Sequence, residues 1–156
     1  MTAHLAIFAI PELPMVKEGD DLPAMIASAA SKSGQTLRDG DVVVIAQKIV
    51  SKAEGRTVDL ASVVPTSEAI SLARQTGKDP RIVQVVLSES VRVVRSRPNL
   101  MIMQHRLGFV MANAGVDQSN VAPSDGVQRA LLLPIDPDRS AQSIRDSLAQ
   151  DRKSVV

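Results

Sequence analysis

Apolar residues along the chain fall into short runs of two different periods. Leu5-Ala-Ile-Phe-Ala-Ile10 is continuous and is stopped by Pro11 and Pro14, which predicts a buried strand running into a loop through Glu12, Leu13, Pro14 and Met15. After Gly19, Asp20 and Asp21 can cap a helix whose Leu22, Met25, Ile26 and Ala29 recur at helical spacing until Gly34. Asp39-Gly40 marks a turn. The next run, Asp41-Val-Val-Val-Ile-Ala46, is β-branched and unbroken, and predicts a strand covered on both faces. At Gln47 the pattern changes to helix formers, closed by Gly55 as a C-terminal cap.

Two more helices are predicted, over residues 66–75 and from Asp79-Pro80 onward, where Ile82, Val83, Val86 and Leu87 make an apolar face. Short strands follow at 91–94, 100–103 and 109–111, punctuated by Pro98-Asn99 and Gly108. Residues 112–120 have no period and predict an irregular loop rich in side-chain oxygens, before the apolar run 130–133. Asp138 can cap a last helix with Ala141, Ile144 and Leu148 on one side, and Ser154-Val-Val156 reads as the first residues of a strand. No repeat, low-complexity segment or linker intervenes. The pattern predicts one α+β domain over residues 1–156, a mixed sheet with short helices.

Composition narrows the function classes. Phe8 and Phe109 are the only aromatic residues among 156, so the core must be aliphatic. Eighteen Lys+Arg against 17 Asp+Glu leave a formal charge of +1, and neither stacking platforms nor a basic excess points to nucleic acid. The absence of Cys excludes disulfides, thiolate metal sites and Cys nucleophiles. The run at 5–10 is too short for a membrane span or a signal segment, so no membrane partner and a cytoplasmic location are expected.

Two places carry candidate chemistry. Lys48 and Lys52 lie four residues apart, so on a helix they share a face and repel by a few tenths of a kcal/mol, a strain a polyanion would relieve. They follow a predicted strand end, where α/β proteins often hold phosphate; a solvated face beside Glu54 and Arg56 is the plainer alternative. The loop 113–120 offers Asn113, Asp117, Ser119 and Asn120 around Gly115, an oxygen-rich set suited to Mg²⁺ or Mn²⁺. The same side chains could simply bond their own backbone. His4 and His105 have no triad spacing and are expected at the surface. Arg92, Arg95 and Arg97 read as an anion patch or a charged strand edge, with Glu89 as a counter-ion, and Glu18, Asp20 and Asp21 as structural. No catalytic residue stands out.

Four blocks together change the picture: Gly40-Asp-Val-Val-Val-Ile-Ala-Gln-Lys-Ile-Val-Ser-Lys-Ala-Glu-Gly-Arg56, Gly77-Lys-Asp-Pro-Arg81, Gly108-Phe-Val-Met-Ala-Asn-Ala-Gly-Val-Asp-Gln-Ser-Asn120 and Leu133-Pro-Ile-Asp-Pro-Asp138. In that order they resemble the coenzyme F-420:L-glutamate ligase family, the γ-glutamyl ligases of the deazaflavin coenzyme, over nearly the whole chain. The resemblance implies the N-terminal part of the γ-glutamyl ligase fold and a GTP-dependent, metal-dependent ligation of L-glutamate to the deazaflavin precursor through an acyl phosphate. It implies Mg²⁺ or Mn²⁺, assistance from a monovalent cation such as K⁺, and an intertwined homodimer. By position, Glu12, Leu13, Pro14, Met15, Gln47, Lys48, Lys52 and Asn120 would contact GTP, and Asp117 would bind metal. The chain reads His105-Arg-Leu-Gly-Phe109 where the family has Arg-His-Gly-Phe-Val, and Glu12-Leu-Pro-Met15 where it has Gly-Ile-Pro-Leu. The family's Ser-Asp-Thr-Phe-Gly-Arg segment, which completes the metal site, does not occur. The expectation is therefore a ligase truncated before its second metal-binding segment and inactive as such. The alternative is a non-catalytic nucleotide-binding or dimerising domain derived from the ligase.

Overall fold

Capping side chains set where the helices begin. In the computed structural model, which describes residues 4–118 and 126–153, Asp21 accepts the Ala24 N–H at 3.0 Å and starts α1 (Leu22–Lys32). Thr66 does the same for α3 (Ser67–Thr76) by accepting from Ala69, and Asp79 for α4 (Pro80–Ser88) by accepting from Arg81. Between α1 and α3 lie α2 (Gln47–Ala53), β1 (Thr57–Asp59) and a 3-10 turn at Leu60–Ser62. After α4 come β2 (Ser90–Arg97), β3 (Leu100–His105), β4 (Val110–Ala112), a tight turn at Asn113–Gly115, β5 (Arg129–Leu131) and α5 (Pro137–Lys153).

The expected α+β class forms; in place of one mixed sheet, the described strands make two small antiparallel sheets. One has the order β2-β3-β4, with Val93 opposite Met103 and Met103 opposite Met111. The other pairs β1 with β5, Thr57 facing Leu131. Alternation along β3 sends Met101, Met103 and His105 inward. Met101 and Met103 join Leu60, Val83, Val86 and Ala130 in the larger apolar core beneath α3 and α4. A smaller cluster, Val16, Leu22, Ile26 and Leu148, lies between α1 and α5, with Val43, Ile45, Ile49 and Val50 packed against it.

Several expectations are corrected. Neither residues 5–10 nor 41–46 form strands: no described strand lies alongside to complete their backbone bonds. Leu5, Ile7 and Phe8 are exposed. In the second segment Val43 and Ile45 pack inward while Val42 and Val44 are 84% and 90% exposed, so one face is covered rather than two. His105, expected at the surface, is 1% exposed because strand alternation carries it to the core side. Glu89 pairs with Arg56 and Arg106 rather than with Arg92, Arg95 or Arg97; it caps α4 on the core side, whereas Arg92 bonds to Gln104. The expected Asn120 contact, Ser119 and the strand at 154–156 lie outside the described residues. Among the described residues no helix is long and apolar enough to cross a membrane.

Candidate functional site

α2 carries the Gln47, Lys48 and Lys52 side chains that the sequence singles out. Its C-terminal end is closed by Gly55 at φ 65°, a left-handed conformation suited to glycine. Gln47 donates its side-chain amide to Ser51, a fully buried hydroxyl on the next turn. Lys48 forms an ion pair with Asp117. That contact joins the expected phosphate-binding face to the expected metal-binding loop.

The loop is held from both sides. Asp117 exchanges two backbone hydrogen bonds with Leu131, at 3.0 and 2.7 Å, which ties the loop to β5. Before it, Asn113, Ala114 and Gly115 take φ values of 51°, 51° and 73° in succession. Left-handed backbone is strained for alanine, and Ala114 is fully buried there. At Gly115 a Cβ would stand 3.0 Å from Leu133, so the turn needs glycine for space as well as for φ.

A cavity of about 340 Å³ opens between this loop and the start of α4. Lys78, Asp79 and Ile82 form one wall; Asn113, Val116, Asp117 and Gln118 form the other. Asp79 is occupied: it caps α4 and binds the Arg81 guanidinium, whose hydrogen bonds hold its carboxyl below the usual aspartate range. The side-chain oxygen of Asn113 is buried without a hydrogen-bond partner.

Not every expected residue reaches this place. Glu12, Leu13, Pro14 and Met15 form an exposed irregular segment with Glu12 at φ 59°. The chain just after them is tied to the far end of α2, where the Gly19 N–H donates to the Ala53 carbonyl at 2.9 Å. Lys52 lies one turn beyond Lys48 on the same helix.

The sequence reading missed a second cluster. Glu89, 5% exposed, accepts from Arg56 at 3.0 Å and from Arg106 at 2.9 Å, while Arg56 also donates to the Leu133 carbonyl at 2.8 Å. His105 Nδ1 accepts the Leu107 N–H at 2.9 Å, which leaves its proton on Nε2, 3.5 Å from Glu89. Burial pushes the His105 pKa down, against the pull of Glu89. The inward parity of Met101, Met103 and His105 was the available signal for the histidine.

As to metal, the described residues contain no group of three or more His, Asp or Glu side chains placed to hold one. Asp117 alone fits a hard cation shared with phosphate oxygens, the usual manner of Mg²⁺, rather than a cage made by protein.

Comparison with known proteins points to the same family. The family model for F420-0:Gamma-glutamyl ligase matches residues 11–156. The chain is 42% identical over 146 residues to the Coenzyme F420:L-glutamate ligase of Methanothermobacter thermautotrophicus, covering 94% of this chain and 56% of that protein. The protein of the same name from Methanopyrus kandleri is 44% identical, with 94% and 54% covered. That from Halorubrum lacusprofundi is 45% identical over 155 residues, with 95% and 57% covered. The chain spans about half the length of these curated relatives. With its family model matched over all but the first ten residues, the chain belongs to the F420-0:gamma-glutamyl ligase family.

Proposed function

We propose that this chain forms the nucleotide-handling part of a ligase that uses GTP to join L-glutamate to the deazaflavin precursor of coenzyme F-420. A carboxylate is a poor electrophile, so it must be activated. A terminal carboxylate oxygen of the precursor attacks the γ-phosphorus of GTP, the bond to GDP breaks, and an acyl phosphate results. The glutamate amine, having lost a proton, then attacks the acyl carbon; the bond to phosphate breaks, leaving an amide and inorganic phosphate.

The observation that carries this reading is the Lys48–Asp117 ion pair. A lysine and a carboxylate held together can each exchange partner when a phosphate and its cation arrive, Lys48 turning to phosphate oxygens and Asp117 to the metal. Lys52, one turn along, adds a second positive charge, and Gln47 and Asn120 are assigned to the nucleotide from the family pattern. So are Glu12, Leu13, Pro14 and Met15. Bound Mg²⁺ or Mn²⁺ would neutralise charge on the transferring phosphoryl group. A monovalent cation such as K⁺ is part of the same assignment. The apolar residues left exposed at 5–10 and 41–46 support a homodimer, which sedimentation would test.

Titration calorimetry tests the nucleotide assignment. GTP with Mg²⁺ should bind, and Lys48→Ala and Lys52→Ala should each weaken it by about 1.5–3 kcal/mol, the value of a charge-assisted contact. No binding to the wild-type chain, or full affinity in both variants, overturns the reading. Asp117→Asn should reduce Mn²⁺ binding while leaving the melting temperature within a few degrees, since the Leu131 bonds that hold the loop are backbone bonds. A large fall in melting temperature with Mn²⁺ binding intact would make the carboxylate structural.

A further inference from the structure

α2 and the loop that carries Asp117 come from distant parts of the chain, and the consecutive residues Leu131, Leu132 and Leu133 join them. Leu131 holds Asp117 through their paired backbone bonds. The next two residues hold the end of α2. The Leu132 N–H donates to the Arg56 carbonyl at 2.9 Å, and the Arg56 Nε–H donates to the Leu133 carbonyl at 2.8 Å. Arg56 is in turn fixed to its own helix, because its N–H donates to the Ser51 carbonyl at 2.9 Å. A longer tie runs from the Gln47 amide to the Leu132 carbonyl at 3.4 Å, but Gln47 is already assigned to the nucleotide.

The place suits an arginine. Its planar fork donates from Nε toward Leu133 and from a terminal nitrogen toward Glu89, 3.0 Å away, so one rigid group spans two fixed acceptors; an ammonium on a flexible stem has no such fork. Glu89 is buried and also accepts from Arg106, so the carboxylate that aims the guanidinium is itself held from a second side. We propose that Arg56, aimed by Glu89, is a positioning residue for the nucleotide site: it sets α2, which carries Lys48, against the stretch that anchors Asp117, and acts through that pair rather than by touching the nucleotide. The inference rests on the ligase reading and adds to it the device that brings Lys48 and Asp117 together. Arg106 supplies the contrast. It binds the same Glu89 oxygen at 2.9 Å, yet its own N–H returns to the Glu89 carbonyl at 3.1 Å, so it ties the turn after β3 to the end of α4 and not to α2.

The test compares Arg56→Lys with Arg106→Lys in the full chain. Each keeps a cation beside Glu89 and leaves the carboxylate its other arginine, so neither leaves that buried charge unpaired. Titration calorimetry should show GTP with Mg²⁺ bound about tenfold more weakly by Arg56→Lys and with unchanged affinity by Arg106→Lys. Arg56→Gln should weaken binding in the same direction, and takes the place of Arg56→Lys should that variant fail to fold. In the Lys48→Ala background, Arg56→Lys should weaken binding no further than the larger of the two single changes, because both act through one contact. Amide exchange in the nucleotide-free chain reads the anchor directly: the Leu132 and Asp117 N–H groups should exchange about tenfold faster in Arg56→Lys, with Val86 in the core unchanged. A merely structural role would lower the melting temperature of both lysine variants and leave their GTP affinities alike. Wild-type affinity in Arg56→Lys and Arg56→Gln, an equal loss in Arg106→Lys, or losses that add to that of Lys48→Ala overturn the inference. A wild-type chain that binds no GTP loses the ligase reading instead; exchange at Asp117 then decides whether Arg56 sets that anchor, and an unchanged rate there overturns it.

Discussion

Glu89 receives two guanidinium groups from different parts of the chain, with His105 beside it and little access to water. The histidine sets a pH dependence whose sign follows from its environment. Folded His105 resists protonation because it is buried, and because Nδ1 already accepts a backbone N–H; the unfolded side chain has no such restraint. Stability is therefore fully present above the ordinary histidine pKa and is lost as the pH falls below about 6.5, where the unfolded state binds the extra proton. Urea titrations at about pH 7.5 and about pH 5.5 should show a fall in midpoint that becomes smaller in His105→Gln. An identical fall in both proteins would mean that other groups govern acid stability. Arg56, Arg106 and Glu89 are the charged groups that face the ring, and the His105→Gln comparison isolates the contribution of the imidazole from theirs. None of these partnerships follows from spacing along the chain, which is why the sequence reading set Glu89 beside Arg92, Arg95 and Arg97.

At the scale of elements, caps and glycines were legible and distant partners were not. Asp21, Thr66 and Asp79 start their helices as their residue types predict, and Gly55 and Gly77 end two of them in left-handed backbone. β1 escaped notice because Thr57, Val58 and Asp59 hold a single apolar side chain; the strand exists through its pairing with β5 much later in the chain. Conversely, the run at 41–46 reads as a strand in composition, but composition does not supply a neighbour to pair with. The Asn113–Gly115 turn was expected only as an irregular loop with a flexible glycine, yet its geometry is tightly specified. Gly115→Ala should lower stability by about 1–3 kcal/mol, through left-handed strain and contact with Leu133. A denaturation midpoint equal to the wild type would show that Leu133 and the turn relax freely.

The whole molecule divides its apolar burial unevenly. The cluster holding Leu60, Val83, Val86, Met101 and Met103 has these side chains fully out of water, whereas Val16, Leu22, Ile26 and Leu148 make a small set joined by half-buried neighbours. Local opening follows local burial. Amide exchange should accordingly be faster across α1 and α5 than across β2 and β3, and Met103→Ala should lose about 2–5 kcal/mol of stability, more than Leu148→Ala. Equal protection throughout would show the molecule opening as one unit. Of the site, the Lys48 and Asp117 residues were readable separately; their meeting was not, because it depends on the Leu131 pairing that anchors the loop.

The segment at 41–46 has already chosen its sides. With Val43 and Ile45 committed to the small cluster, Val42 and Val44 can only face the other way, and a shift of one residue would exchange the two sets. Any strand that came to lie along it would meet a template whose phase is preset: it could slide by two residues but never by one.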